Sequence, residues 1–408
     1  MTDKDSMKYI IYFGIICCGL FSCQNNRNVP VYPAVAKVPY EIVSIAGLNV
    51  PVHIGGYGSS MAYNEKDSTF WLLTDRGPNV DGVTSESKIF ALPDYNPHVG
   101  VFRLQGDSLI PVKKIELKDT NNRLFCGLPN VEGDGKTGET AYNKEGKIIH
   151  NKKRRGIDPE GLALAPDGSF WISDEYGPWI LHFDPTGNLI GEYSPFNGKL
   201  PAHYAHRQPN RGMEGLSINK QGTVLYGIMQ SPLNQPDGNA PAYPAFVRIL
   251  ELHLSDNSYR EFAYPLENQK NVVSEINYLN DSTFLVLERD GKFPENGEGF
   301  KRIYQIQIDR ASDISRYSEI PEWGNQLPAN IKTVEKKLFC DILKAITAYD
   351  HDKPEGIAMI GDSILCVVND DDFGINSPSK ADGTIVPKLK TNRQTDRNKI
   401  YFIPCQSR

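Results

Sequence analysis

The chain has 408 residues and a formal net charge of −6 at pH 7. Such mild acidity argues against a nucleic-acid partner. The 35 Gly, 28 Pro and 10% aromatic residues suit short strands joined by tight turns, and long helical periodicity is nearly absent.

The first element in chain order is an address. Met7-Lys8 precedes the apolar run Tyr9 to Leu20, too short to span a membrane, and Leu20-Phe21-Ser22-Cys23 follows. A charged start, a short apolar core and a small residue before Cys resemble a bacterial lipoprotein signal over residues 1–22, with Cys23 lipidated. The residues before Met7 suggest a start codon assigned too early. Gln24 after Cys23 fits outer-membrane sorting, facing either the periplasm or the surface. Residues 23–36 read as a tether and residues 37–408 as one domain with no internal linker. Of seven Cys, Cys126, Cys340, Cys366 and Cys405 remain after the signal and the anchor, without a C-x-x-C and without readable pairing.

The body repeats. Glu160-Gly161-Leu162 runs through Pro166-Asp167-Gly168 to Trp171-Ile172-Ser173-Asp174-Glu175. Glu214-Gly215-Leu216 runs through Gln221-Gly222 to Leu225–Met229, and Glu355-Gly356-Ile357 through Gly361-Asp362 to Leu365–Asp370. Degenerate copies start at Ser59-Ser60-Met61 and Ser274-Glu275-Ile276, the latter leading to Glu288. Each unit reads as a β-hairpin. Third strands follow at Val99–Leu104, Ile180–Phe183, Phe246–Leu254, Arg302–Ile308 and Lys399–Ile403, many with strand alternation. The smaller spacings approach one propeller blade. The expectation is an all-β propeller of five or six blades, the sixth assembled in part from Tyr40–Ile54. One amphipathic helix is expected over Val334–Ala348.

Antiparallel pairing brings Glu160 and Asp174 to one end of their hairpin, and likewise Glu275 with Glu288 and Glu355 with Asp370. Asp371 and Asp372 extend this set to an acidic ring. Crowded carboxylates raise one another's pKa unless a cation compensates, and hard oxygen donors suit Ca²⁺ or Mg²⁺. Arg76 beside Asp75, Arg289 beside Glu288, and Arg207 and Arg211 before Glu214 would serve a substrate anion or neutralise the acids. Lys152-Lys153-Arg154-Arg155 reads as a solvated run or an anion-capturing loop. Gly135-Lys136-Thr137 lacks the rest of a phosphate-binding loop, and no H-E-x-x-H or G-x-S-x-G is present. His203 and His206 read as solvated loop residues rather than metal ligands.

These motifs together resemble the phytase-like family, described as having esterase-like activity of phytase. The resemblance is carried by Leu73–Asn79, by Asp158–Leu162 with Phe170–Pro178, by Asn210–Leu216 with Met229–Leu233, and by Lys353–Ile357 with Asn369-Asp370. It implies a β-propeller and a hydrolase of phosphate esters or other esters. Glu275 departs from the glycine-bearing form, and the R-H-G-x-R-x-P nucleophile of histidine acid phosphatases is absent. The expected site has Glu160, Asp174, Glu214, Glu355 and Asp370 on Ca²⁺, and Glu175 as general base. Arg76 and Arg211 would face developing charge, and Asp75, Arg207 and Arg289 would contact a small phosphate ester or other ester. The alternatives are a carboxylic-ester or lactone hydrolase, as in metal-binding propellers similar to gluconolactonases, and a non-catalytic ligand-binding propeller. A monomer anchored to the bacterial envelope is expected.

Overall fold

A computed structural model describes residues 32–408, apart from residues 85, 152–153, 234–245, 296–297, 318–326, 378–382 and 406–408. The signal, Cys23 and most of the expected tether lie outside the described residues.

Alternating apolar positions and tight turns produce five four-stranded antiparallel blades. Blade 1 is Ser60–Asn64, Thr69–Leu73, His98–Gln105 and Ser108–Glu116. Blade 2 is Pro159–Leu164, Phe170–Asp174, Trp179–Phe183 and Leu189–Tyr193. Blade 3 is Met213–Ile218, Val224–Met229, Phe246–His253 and Tyr259–Pro265. Blade 4 is Val272–Asn280, Thr283–Arg289, Lys301–Gln307 and Glu335–Asp341. Blade 5 is Lys353–Ile360, Ile364–Asp370, Lys399–Pro404 and Val35–Lys37. The first strand of each blade touches that of the next, and blade 5 touches blade 1, so the ring closes at five. Val35–Lys37 pairs antiparallel with Lys399–Tyr401 and meets Ser108 of blade 1, so the folded body starts inside the segment read as a tether.

Two expectations are corrected here. The stretch Tyr40–Ile54 forms a separate hairpin, Glu41–Val43 with Val52–Ile54, and not a sixth blade. The helix shrinks to one turn, Ile342–Ala345, while Glu335–Asp341 pairs with Lys301–Gln307 as the outer strand of blade 4. The open edge of the third strand offered a ladder of unpaired backbone groups, which outweighs a weak helical preference.

The core lies between blade faces. Ile228, Val247, Ile249, Val286 and Ile306 are fully buried where blades 3 and 4 pack, each contributing about 1.5–3 kcal/mol by removal from water. At one mouth of the channel, insertions add a three-stranded sheet (Asn79–Asp81, Ser87–Phe90, Thr140–Asn143) and a two-stranded one (Ile375–Asn376, Val386–Pro387). Val52, Val80, Phe373, Ile375 and Ile385 pack together beneath them.

Candidate active site

The repeated Glu-Gly step has a structural meaning. In blades 2, 3 and 5 the inner strand bulges there, leaving Glu160, Glu214 and Glu355 out of the pairing register. A bulge turns its side chain away from the strand's regular alternation. The glycines let neighbouring inner strands touch: a Cβ on Gly161 would stand 2.5 Å from the Glu214 carbonyl oxygen, and one on Gly215 2.5 Å from the Ile276 nitrogen. In blades 1 and 4 Ser60 and Glu275 take the glycine's place. Glu275 is therefore displaced by one position from the other repeat glutamates. Its carboxylate accepts from Ser60 Oγ (2.5 Å), Leu216 N (3.1 Å) and Ile276 N (3.0 Å), while Ser60 Oγ accepts from Leu162 N (3.1 Å). One buried carboxyl thus ties four blades together at the waist of the channel.

On the second strands, Asp174, Met229, Glu288 and Asn369 pair with Pro159, Met213, Val273 and Pro354. The next residues in sequence are Glu175, Gln230, Arg289 and Asp370, and Asp75 holds the same place in blade 1. These five, one per blade, line a mouth cavity of about 600 Å³ together with Glu160, Glu214 and Glu355. Strand alternation sends their predecessors elsewhere. Asp174 does not line the cavity: its oxygens accept from Asp158 N and Gly177 N, both at 2.9 Å. Glu288 serves Tyr264, Asn271 and Lys336 between blades.

Of the remaining expected residues, Arg76 and Arg211 line the cavity and Arg207 does not. Arg207 bonds the carbonyls of Glu175, Tyr176 and Lys136, propping the strand end that presents Glu175. Arg76 is buried and fully engaged, with Nη1 donating to Glu139 (3.0 Å) and Asn210 (2.8 Å) and Nε 3.5 Å from Asp158. Arg289 pairs with Glu355 and bonds Ser274. Arg211 stands exposed at the rim, 3.4 Å from Ser231 Oγ, without an acidic partner among the described residues. His203 is buried against Glu261 at 3.0 Å, away from the cavity, and His206 is exposed.

Several site residues carried no role in the sequence reading. Asp158 is one, and its carboxylate joins those of the expected Glu160 and Glu175 with oxygens within 4.8 Å of one another. Gln230 donates to both Glu175 Oε1 (2.6 Å) and Glu214 Oε2 (2.9 Å). Spacing alone hid its equivalence to Glu175, since blade 3 carries one more residue than blade 2 between the turn glycine and this position. Glu139, Asn210, Asp352 and Lys388 come from insertions or loops outside the repeat, which no periodicity marks.

The acids share one electrostatic predicament. Burial first, then Glu214 and Asp158, hold Glu160 well above the usual carboxylate range. Asp75 is raised by burial and then by Asp370 and Asp158, and Glu175 by burial and then by Glu214. Burial also lifts Glu214 to about 7, Asp370 to about 6 and Glu355 to about 8, the last despite Arg289. Most other cavity acids have a basic or amide partner. Glu160 has no hydrogen-bond or ion-pair partner among the described residues. An oxygen-rich set of this kind, short of positive charge, fits a hard divalent cation such as Ca²⁺. Asp158, Glu160 and Glu175 could hold such an ion, with Glu214 adjoining through Gln230.

Fold and cavity together define a five-bladed propeller with a charged site at one mouth, where every blade contributes at least one polar side chain. The chain belongs to the phytase-like family, described as esterase-like activity of phytase, which it matches over residues 52–373. A curated relative, an uncharacterized secreted protein of Arthroderma benhamiae, is 26% identical over 349 residues, covering 67% of this chain and 66% of the relative. The chain therefore spans just under two thirds of that relative's length. Among solved structures, a virginiamycin B lyase from Staphylococcus aureus is 12% identical, covering 91% of this chain and 89% of that one at a TM-score of 0.32. A protein from Lactobacillus plantarum is 9% identical, covering 89% and 98% at a TM-score of 0.33.

Proposed function

We propose that the protein is a metal-assisted hydrolase of small phosphate esters, working at the propeller mouth. The observation that carries this reading is the carboxylate group Asp158, Glu160 and Glu175, within 4.8 Å and without a neutralising cation on Glu160. Membership of the phytase-like family supports the same class of chemistry. A Ca²⁺ ion held there would polarise a phosphoryl oxygen and acidify a bound water.

The chain's own residues supply the rest. Glu175, first expected as the base, stands among the ligands, and we assign proton abstraction to Glu214. Its carboxyl, lifted to about 7 by burial, is partly ionised near neutral pH and is held by Gln230 at 2.9 Å. Arg211 has its guanidinium available to pair with phosphate oxygens at the rim. Arg76 acts one step back, holding Asp158 through its backbone N–H at 3.1 Å and its Nε at 3.5 Å. Arg289 and Glu355 form a paired wall.

We also place the protein outside the cytoplasm, in the bacterial envelope through Cys23, a reading supported by the N-terminal signal pattern and by the relative named as secreted. Among the described residues no helix is long and apolar enough to cross a membrane. The test is hydrolysis by purified protein of phytate, phosphomonoesters, phosphodiesters, carboxylic esters and lactones, with chelator and with added Ca²⁺. Chelator-sensitive phosphate release that is lost in Glu160→Gln and Glu214→Gln is expected. Turnover of carboxylic esters or lactones alone, or none from folded, metal-loaded protein, would refute it.

A further inference from the structure

Four aspartates and two lysines meet on the fifth-blade side of the cavity. Lys353 lines the cavity and donates to Asp372 Oδ1 (2.6 Å) and Asp370 Oδ2 (3.3 Å). Lys388 lies behind it, 1% exposed, with its Nζ 2.7 Å from Asp372 Oδ2, 2.9 Å from Asp352 Oδ1 and 3.6 Å from Asp396 Oδ2. It also donates to the Asp370 carbonyl oxygen at 3.3 Å. Asp372 is thus shared, one oxygen for the cavity lysine and the other for the buried one.

The segment carrying Asp372 is held against its preference. Asp372, Phe373 and Gly374 have φ of 46°, 56° and 72°, three left-handed residues in succession, two of them not glycine. Such a turn persists only when its surroundings over-determine it. The ties are visible: Asp371 accepts from Phe373 N at 3.1 Å, Lys388 N donates to the Gly374 carbonyl at 2.9 Å, and the Phe373 ring fills the space a side chain on Gly56 would need. Lys388 brings positive charge to the segment from behind, as Lys353 does from the cavity side. Without it, Asp352, Asp372 and Asp396 would lose their shared ammonium, and Asp372 would no longer be fixed where Lys353 needs it.

We propose that Lys388 is a positioning residue: through Asp372 it fixes the ammonium of Lys353 at the cavity wall, where that ammonium meets an anionic substrate oxygen. The last clause rests on the phosphate-ester reading above, whereas the positioning itself does not. Two readouts separate them. Acetylation of Lys353 by acetic anhydride, followed by mass spectrometry on the full-length protein, reports how tightly the amine is held. In Asp372→Asn, which spares Lys388 two partners and so guards against loss of the fold, Lys353 labels several-fold faster than in the wild type. Lys388→Met gives the same change where it folds. Asp396→Asn, at a carboxylate that faces Lys388 and His351, labels like the wild type. With a phosphomonoester, Asp372→Asn raises KM by about tenfold, the worth of one charge-assisted hydrogen bond, with kcat little changed. Equal labelling of Lys353 in Asp372→Asn and wild type would overturn the positioning, whether or not any ester is turned over. Faster labelling in both Asp372→Asn and Lys388→Met with KM unmoved would uphold the positioning and overturn the anion contact, whereas faster labelling in Asp372→Asn alone would leave Asp372 as the direct holder of Lys353 and overturn the role of Lys388.

Discussion

Replacing Glu160 by Gln should stabilise the metal-free protein and abolish most of its response to Ca²⁺. Two ionised carboxylates 4.8 Å apart repel by about 3.5 kcal/mol at an effective dielectric of about 20. The metal-free protein avoids that repulsion by keeping protons bound, and Glu160 accordingly sits well above its usual value. The folded pKa exceeds the unfolded one, so the favourable contribution is complete below the unfolded pKa and is lost as pH rises through the folded pKa. At pH 7 the wild type bears a cost that the amide does not. In chelator the variant should be more stable by on the order of 1–3 kcal/mol, a rise of roughly a few degrees in Tm for a domain of this size. Ca²⁺ at about 100 times its Kd should add about 2.7 kcal/mol to the wild type and under about 1 kcal/mol to the variant. Differential scanning calorimetry at pH 7 reads both numbers. A variant that melts lower in chelator, yet gains as much from Ca²⁺ as the wild type, would refute the assignment of Glu160 to a cation site.

Other consequences can be measured separately. In chelator, wild-type stability should fall as pH rises from about 5 to 8, the window set by Glu214 at about 7 and Glu355 at about 8; urea unfolding across that range should show a shallower slope in Glu214→Gln. Asp174→Asn removes one of the two acceptors that hold Asp158 N and Gly177 N, so it should cost about 1–3 kcal/mol. Its Ca²⁺ affinity by calorimetric titration should stay close to wild type, and a tenfold loss would make Asp174 a ligand after all. Gly161→Ala drives a methyl against the Glu214 carbonyl at 2.5 Å and should destabilise by about 1–3 kcal/mol or more, seen as a lowered denaturation midpoint.

The repeat was legible because a chemical constraint and a geometric one coincide in it. Glu-Gly marks a bulge that aims a carboxylate at the mouth and a glycine that lets neighbouring strands touch, so both residues recur. The five third strands were legible too, being alternating runs that must pair on both sides. What sequence spacing could not supply was parity. Asp174 and Glu175 are adjacent and both acidic, one residue apart in distance from the turn, yet one faces the backbone of its own blade and the other the cavity. The same one-residue step separates Glu275 from the other repeat glutamates, since the blade 4 bulge falls on Ser274. The helix over Val334–Ala348 misled for another reason: its spacing was real, but an unpaired strand edge 30 residues upstream decided the outcome, about which local periodicity is silent. Glu139 and Lys388 enter from insertions, and only the folded chain reveals whom they meet.

The pairing of Val35–Lys37 with Lys399–Tyr401 makes the first and last strands of the described fold partners in one blade. An early strand must therefore wait for a late one before the circle can shut, so blade 5 is assembled from material more than 300 positions apart. Folding speed should suffer from so long a loop closure. In return, the ring has no privileged starting point. A chain joined end to end and cut anew at the exposed turn Asp256–Ser258 would close blade 5 locally and hand the long-range closure to blade 3, where Tyr259–Pro265 would have to find Phe246–His253.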